Sequence, residues 1–195
     1  MKKINYNKLI SIAFDQHANV ASETLKAISK KLEKSSSIIS KSLTSKRTIF
    51  WCGNGGSAAD SQHIAAELVG RFKKDRKPLR SIALTTDTSV LTCISNDYSY
   101  EEIFSRQLNA LGKKGDTLVV ITTSGNSKNI KKVLIQAKKM SIKTIGLLGK
   151  GGGDCKNLLD ISMIVPSNDT ARIQEMHILI GHLMCELVEH KLGLN

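Results

Sequence analysis

Two pairs of side chains in this sequence have the chemistry of a metal or proton-transfer centre. His63 and Glu67, in the stretch DSQHIAAELVGR, stand four residues apart. On a helix that spacing puts both on one face, about 6 Å apart, where an imidazole and a carboxylate suit one divalent ion, zinc above all. The same spacing serves an ordinary surface pair, so it needs partners before it means a site. Gln174 and His182, in TARIQEMHILIGHLMCELVEH, offer them. His182 sits among Ile180, Leu183 and Met184, a setting for either a satisfied core histidine or a ligand and proton carrier. Gln174 and His182 are eight residues apart, about 12 Å of rise on one helix. They meet at one site only if their side chains converge from opposite ends or if two chains contribute, which hints at a subunit interface.

Two loops carry a second kind of chemistry. Cys52-Gly53-Asn54-Gly55-Gly56-Ser57 and Thr122-Thr123-Ser124-Gly125-Asn126-Ser127 each follow an apolar run and open a helical pattern. Glycine lets the backbone approach a ligand, hydroxyls donate hydrogen bonds, and the amino end of a helix favours an anion. With Ser127 placed as an N-cap, the second loop reads as a phosphate cradle that has no Walker lysine. Taken alone, such a loop is usually just a capped turn.

The elements that must position these groups alternate along the chain. Residues 5–42 read as an N-terminal helical arm, with Leu9, Ile10, Ile12 and Ala13, then Leu25, Ile28 and Leu32, at three- and four-residue spacing. Ser35-Ser36-Ser37 is a candidate break, so two packed helices are expected there. Strands are expected at Thr48–Cys52, Ser81–Leu84, Thr117–Thr122, Lys143–Leu148 and Asp160–Val165. Helices are expected at Ser57–Val69, Ser89–Asn96, Tyr100–Leu111, Ser127–Met140 and Thr170–Leu192. Strands alternating with helices make right-handed crossovers and a doubly wound, flavodoxin-like α/β fold, a five-stranded parallel sheet flanked by helices. Such a sheet binds ligands beyond the carboxyl ends of its strands, where both loops fall.

Composition narrows the classes. At 195 residues the chain is read as one domain, 1–195, with 41% hydrophobic and 24% charged residues. No apolar run reaches the ~18 residues of a membrane span, and Asn5, Asn7 and Asp15 interrupt any signal-peptide core, so a cytoplasmic protein is expected. Cys52, Cys93, Cys155 and Cys185 form no C-x-x-C pair and read as buried free thiols. The net charge of +12, from 29 Lys+Arg against 17 Asp+Glu, is carried mostly by scattered lysines with few interleaved aromatics. That argues against nucleic acid and for anionic small molecules.

CGNGGSAA, TTSGNS and TARIQEMH with a further histidine at 182 resemble the sugar isomerase (SIS) domain family, and within it the sedoheptulose 7-phosphate (phosphoheptose) isomerases. The resemblance runs from about residue 5 to 192 and includes LTTDTSVLTCISNDYSYEEIFSRQ. It implies a cytoplasmic homotetramer with active sites at subunit interfaces. The implied reaction turns sedoheptulose 7-phosphate into D-glycero-D-manno-heptose 7-phosphate, a first step toward the heptose of lipopolysaccharide or a surface glycan. It places one zinc per subunit on His63, Glu67, Gln174 and His182. Sugar contacts fall on Asn54, Gly55, Gly56, Asn96 and Asp97, with Ser57 and Arg71 nearby and Glu67 and Gln174 also facing the substrate. The phosphate loop falls on Thr122, Thr123, Ser124 and Ser127. The family often has Ser where this chain has Thr122, which keeps the hydroxyl. A member with Asp before the arginine of the RIQE motif meets Ala171 here, so a role for that carboxylate stays open.

The resemblance also supplies a rival from another class, the non-catalytic SIS tetramers that bind the replication initiator DnaA. Those lack the counterparts of Glu67 and His182, and this chain has both. A sugar-phosphate-sensing SIS regulator is disfavoured because no DNA-binding module is attached. The isomerase reading assigns Glu67 as the base and His182 as the acid of proton transfer through an enediol, with zinc polarising the carbonyl. A carboxylate bound to zinc is a weaker base, so Glu67 has to loosen from the metal to serve.

Overall fold

A computed structural model describes residues 5–194. The first helix, α1 (Tyr6–Thr44), starts where the Asn5 side chain accepts the Lys8 amide. It is one unbroken 39-residue helix, and the expected break at Ser35-Ser36-Ser37 does not occur. The reason is local. Ser36 and Ser37 both donate back to the Glu33 carbonyl, so their hydroxyls ride on the helix instead of competing with it. No glycine or proline interrupts it. Its later turns are buried through Ile28, Leu32 and Ile39, whereas Tyr6, Leu9, Ile10 and Phe14 at its start are exposed.

After α1 the chain winds a parallel sheet. The strands are β1 (Ile49–Gly53), β2 (Ser81–Ala83), β3 (Thr117–Thr122), β4 (Lys143–Leu148) and β5 (Ile161–Ile164). The helices between and after them are α2 (Gly56–Val69), α3 (Thr88–Asp97), α4 (Ile103–Leu111), α5 (Lys128–Lys139) and α6 (Thr170–Lys191). The sheet order is β2-β1-β3-β4-β5, every pair parallel. This is the expected doubly wound, five-stranded architecture. β3 and β4 fall on the expected residues, and the other elements shift by one or two at their ends, except that α4 begins at Ile103 after a three-ten turn at Tyr100–Glu102. Three-ten turns at Lys150–Gly152 and Asp154–Leu158 lay beyond the periodicity, because short glycine-rich turns carry no repeating apolar face.

Strand alternation divides the core. Ile49 and Trp51, Val119 and Ile121, Ile145 and Leu147 face α1, α2 and α6. Phe50 and Cys52, Leu118 and Val120 face the layer of α3, α4 and α5. Both faces are covered, as an all-parallel sheet requires. Cys52, Cys155 and Cys185 are buried free thiols as expected, but Cys93 is exposed on α3, a surface helix that buries only Ile94. No helix among the described residues is long and apolar enough to cross a membrane.

Candidate active site

The order β2-β1-β3 makes the chain reverse its direction of travel between β1 and β3. That opens a crevice beyond their carboxyl ends, the position where doubly wound sheets take ligands. Both motif loops line it. The first passes from β1 into α2 through Gly55, whose φ of 57° and ψ of −122° are open to glycine and strained for other residues. At Gly56 the restriction is space: an added Cβ would meet the end of the Gln174 side chain, and the carboxamide would have to turn aside.

The second loop is shaped by its own hydroxyls. Thr122 Oγ1 accepts the Gly125 amide at 3.3 Å, and Ser124 Oγ accepts the Asn126 amide at 3.2 Å. Ser127 occupies the N-cap position of α5, yet its side chain makes no capping bond. Asn126 Oδ1 accepts the Asp154 amide and the Gly125 carbonyl accepts the Cys155 amide, so the glycine-rich turn 150–158 braces the loop from behind. The two loops are joined across the crevice. Asn54 Nδ2 donates to Asn129 Oδ1 at 2.9 Å, and Asn129 Nδ2 donates back to Asn54 Oδ1 at 2.8 Å. Tyr100 Oη also donates to Asn54 Oδ1, at 3.0 Å.

A second constellation lies farther along α2. α2 and α6 pack side by side and run in parallel: Gly56 faces Gln174, and seven to eight residues on Gly181 faces Ile64. That register brings His182 over His63. Their Nε2 atoms are 2.9 Å apart, and His63 Nε2 is 3.2 Å from Glu67 Oε1. The three potential ligand atoms all lie within 4.8 Å of one another. Two imidazole nitrogens and a carboxylate oxygen facing one small volume are a donor set that fits a divalent ion such as zinc. Phe72 stacks on His182, with ring centroids 5.5 Å apart and planes 18° from parallel.

The remaining expected residues are dispersed. Gln174 stands at the Gly56 end of the α2–α6 seam, two helical turns from His182. Ser57 is buried, and Arg71 is exposed just past α2. Asn96 and Asp97 are exposed at the end of α3, where Asn96 and Cys93 donate to the Asp97 carboxylate and hold its pKa below the usual range. One chain thus assembles His63, Glu67 and His182, and separately the two crevice loops.

Several neighbours of these groups had escaped the sequence reading. Asp60 lies one turn before His63, with Oδ2 buried and without a hydrogen-bond partner among the described residues. Burial pushes its pKa up, and the nearby His63 pulls it partly back. The i,i+3 spacing from Asp60 to His63 was available as a signal. Asn129, Tyr100 and Phe72 act from separate segments, and nothing local in the sequence marks them.

The family model of the SIS domain matches residues 14–149. A phosphoheptose isomerase of Aliarcobacter butzleri (strain RM4018) is 50% identical over 180 residues, covering 92% of this chain and 95% of its own. Among solved structures, the phosphoheptose isomerase GmhA from Neisseria gonorrhoeae superposes with a TM-score of 0.91 at 39% identity, covering 95% of this chain and all of its own. A phosphoheptose isomerase from Francisella tularensis gives 0.93 at 34% identity, with 96% and 100% covered. The chain belongs to the SIS-domain family and, within it, to the phosphoheptose isomerases. It is an aldose–ketose isomerase.

Proposed function

We propose that this enzyme converts sedoheptulose 7-phosphate to D-glycero-D-manno-heptose 7-phosphate, using Glu67 and His182 to move protons. The observation that carries the reading is the convergence of His63, Glu67 and His182 in a chain half identical to a phosphoheptose isomerase over nearly its whole length. The phosphate is held by the loop of Thr122, Thr123, Ser124 and Ser127, with the amino end of α5 favouring its charge. Asn54, Gly55, Gly56, Ser57, Asn96, Asp97 and Arg71 are proposed to orient the sugar, and the phosphate contacts supply binding energy remote from the reacting carbons.

In the reaction the Glu67 carboxylate takes a proton from C1 of the ketose while His182 gives one to the oxygen on C2. The enediol so formed then collapses the other way. Glu67 returns its proton to C2, and the hydroxyl proton on O1 passes to His182, leaving the aldehyde at C1. Both groups end in their starting protonation states, as a catalyst must. His63, Glu67 and His182 are the residues that would hold zinc, with Gln174 as the expected fourth ligand. When bound, zinc supplies a Lewis acid that withdraws charge from the sugar carbonyl.

Gln174 lies away from the other three within a chain, and His63 is exposed. Both facts support sites completed by a second copy in a homotetramer, as does the apolar start of α1. A cytoplasmic enzyme feeding lipopolysaccharide or a surface glycan is the setting proposed for it. The deciding experiment incubates the purified protein with sedoheptulose 7-phosphate and, separately, fructose 6-phosphate, and follows aldose formation. Turnover of the seven-carbon substrate alone is expected. Preference for the six-carbon sugar would overturn the substrate assignment.

A further inference from the structure

Behind the His63–Glu67–His182 cluster lies an ion pair that the reaction as described does not use. Arg76 and Glu189 meet at 2.7 Å, and the side chain of each is only 2% exposed. Arg76 comes from the segment between α2 and β2, and Glu189 from the last turn of α6. Burying two charges is costly, and a buried pair by itself is weak support for a stabilising role. The contacts around this one have a direction.

The Arg76 guanidinium is spread over the carboxyl end of α2. Nη2 donates to the Glu67 carbonyl at 2.8 Å, and Nη1 donates to the Leu68 carbonyl at 2.9 Å. These are carbonyls that the helix itself leaves unpaired, and a cation there also complements the helix dipole. Arg76 therefore ties down the Glu67 carbonyl, at a helix end where the Gly70 and Leu79 amides cap the Ala66 and Leu68 carbonyls. Glu189 works on the other partner. The oxygen that binds Arg76, Oε1, also accepts the Phe72 amide at 3.3 Å, and Phe72 is the ring stacked on His182. One carboxylate oxygen thus joins two arms, one ending on the Glu67 backbone and one on the His182 ring.

We propose that Arg76 and Glu189 are positioning residues that hold Glu67 and His182 in register for proton transfer. The inference rests on the assignment of those two as proton carriers. Arginine is needed because only its fork reaches a carboxylate and two carbonyls at once, whereas a lysine presents one compact charge. Displacement of a reacting group by about 1 Å costs on the order of 100-fold in rate. Loss of the pair should therefore appear in kcat, while KM, governed by loops on other elements, should change little.

The test compares kcat, KM and thermal stability for Arg76→Lys and for the double substitution Arg76→Met with Glu189→Leu. The first keeps a cation against Glu189, and the second fills the same space with apolar groups. Glu23→Gln, which breaks only an exposed pair with Lys26, is the control. In each folded variant kcat should fall about tenfold or more with KM within about threefold, a pattern of lost transition-state interactions. The control should retain wild-type values. A purely structural role predicts that any variant still folded at the assay temperature turns over like wild type, and that result would overturn the proposal. If the double variant does not fold, Arg76→Lys decides. Glu67→Gln is assayed in parallel: near wild-type turnover there overturns the proton-carrier assignment itself. An inactive Glu67→Gln beside a fully active Arg76→Lys overturns the positioning role alone.

Discussion

At the scale of single residues, the two carboxyl groups on the outer face of α2 are treated differently by their surroundings. Glu67 faces His63 across 3.2 Å with its side chain about a quarter exposed, while Asp60 has an oxygen buried without a partner among the described residues. Glu67 sets a carboxylate oxygen against an imidazole, whereas Asp60 keeps one oxygen buried, and a general base must reach the proton it takes. Glu67→Gln should leave the fold and the loop of Thr122–Ser127 intact and lower turnover about 100-fold or more, as loss of a general base typically does. Steady-state assays with circular dichroism as a folding control measure this. More than a tenth of wild-type activity would remove Glu67 from the role. The crevice residues should behave otherwise. Thr123 and Ser124 are half-buried at the loop, and replacing both with Ala should raise KM more than it lowers kcat. Turnover lost at unchanged KM would move them into the reacting centre.

At the scale of elements, α6 does most of the positioning. It carries Gln174 to the crevice, His182 to the metal-capable cluster and Glu189 to the buried pair, all from the one seam with α2. It also buries His177, which is 1% exposed and whose ring nitrogens have no hydrogen-bond partner among the described residues. Burial pushes the His177 pKa down to about 4, with the Leu148 backbone, close by but outside hydrogen-bond geometry, pulling upward. The folded state thus keeps this ring neutral where the unfolded chain, titrating near 6.5, binds a proton. Stability linked to His177 is complete above about pH 6.5 and is lost as pH falls toward 4, by up to about 3 kcal/mol. Urea melts at pH 7 and pH 4.5 should show a steeper acid loss for wild type than for His177→Leu. Equal losses would mean that other groups dominate.

This helix also shows what was and was not legible beforehand. Its extent, the His63–Glu67 face and both crevice loops followed from apolar periodicity, i,i+4 spacing and glycine–hydroxyl punctuation, all of which are local. The single-helix form of α1 was misread because a serine run looks like a break, and only the bonds to Glu33 show that it is not. The parallel register of α2 and α6, which decides that His182 and not Gln174 joins His63, is set by packing at Gly56 and Gly181. Two glycines mid-pattern cannot announce which residues they admit.

At the scale of the whole molecule, the candidate ligands come from segments separated by more than a hundred residues, so they form a site only in the folded chain. A metal that binds there stabilises the folded state by mass action. Zinc added to chelator-treated protein should raise both the melting temperature and the activity. His182→Ala should remove most of that response, and His190→Ala, exposed near the end of α6, should leave it intact. A fully active metal-free protein, or a response that survives His182→Ala, would defeat the zinc assignment.

The reciprocal amide pair between Asn54 and Asn129 bears on how this crevice receives a guest. A cleft whose walls move independently must be frozen by whatever enters it, and the lost freedom is subtracted from affinity, at about 0.5–1.5 kcal/mol for each side chain stilled. Here each carboxamide satisfies the other, and Tyr100 braces one of them. The two walls are therefore joined before anything binds between them. Each tie already in place is freedom that binding need not remove, so a guest that leaves the pair intact keeps that share of its affinity.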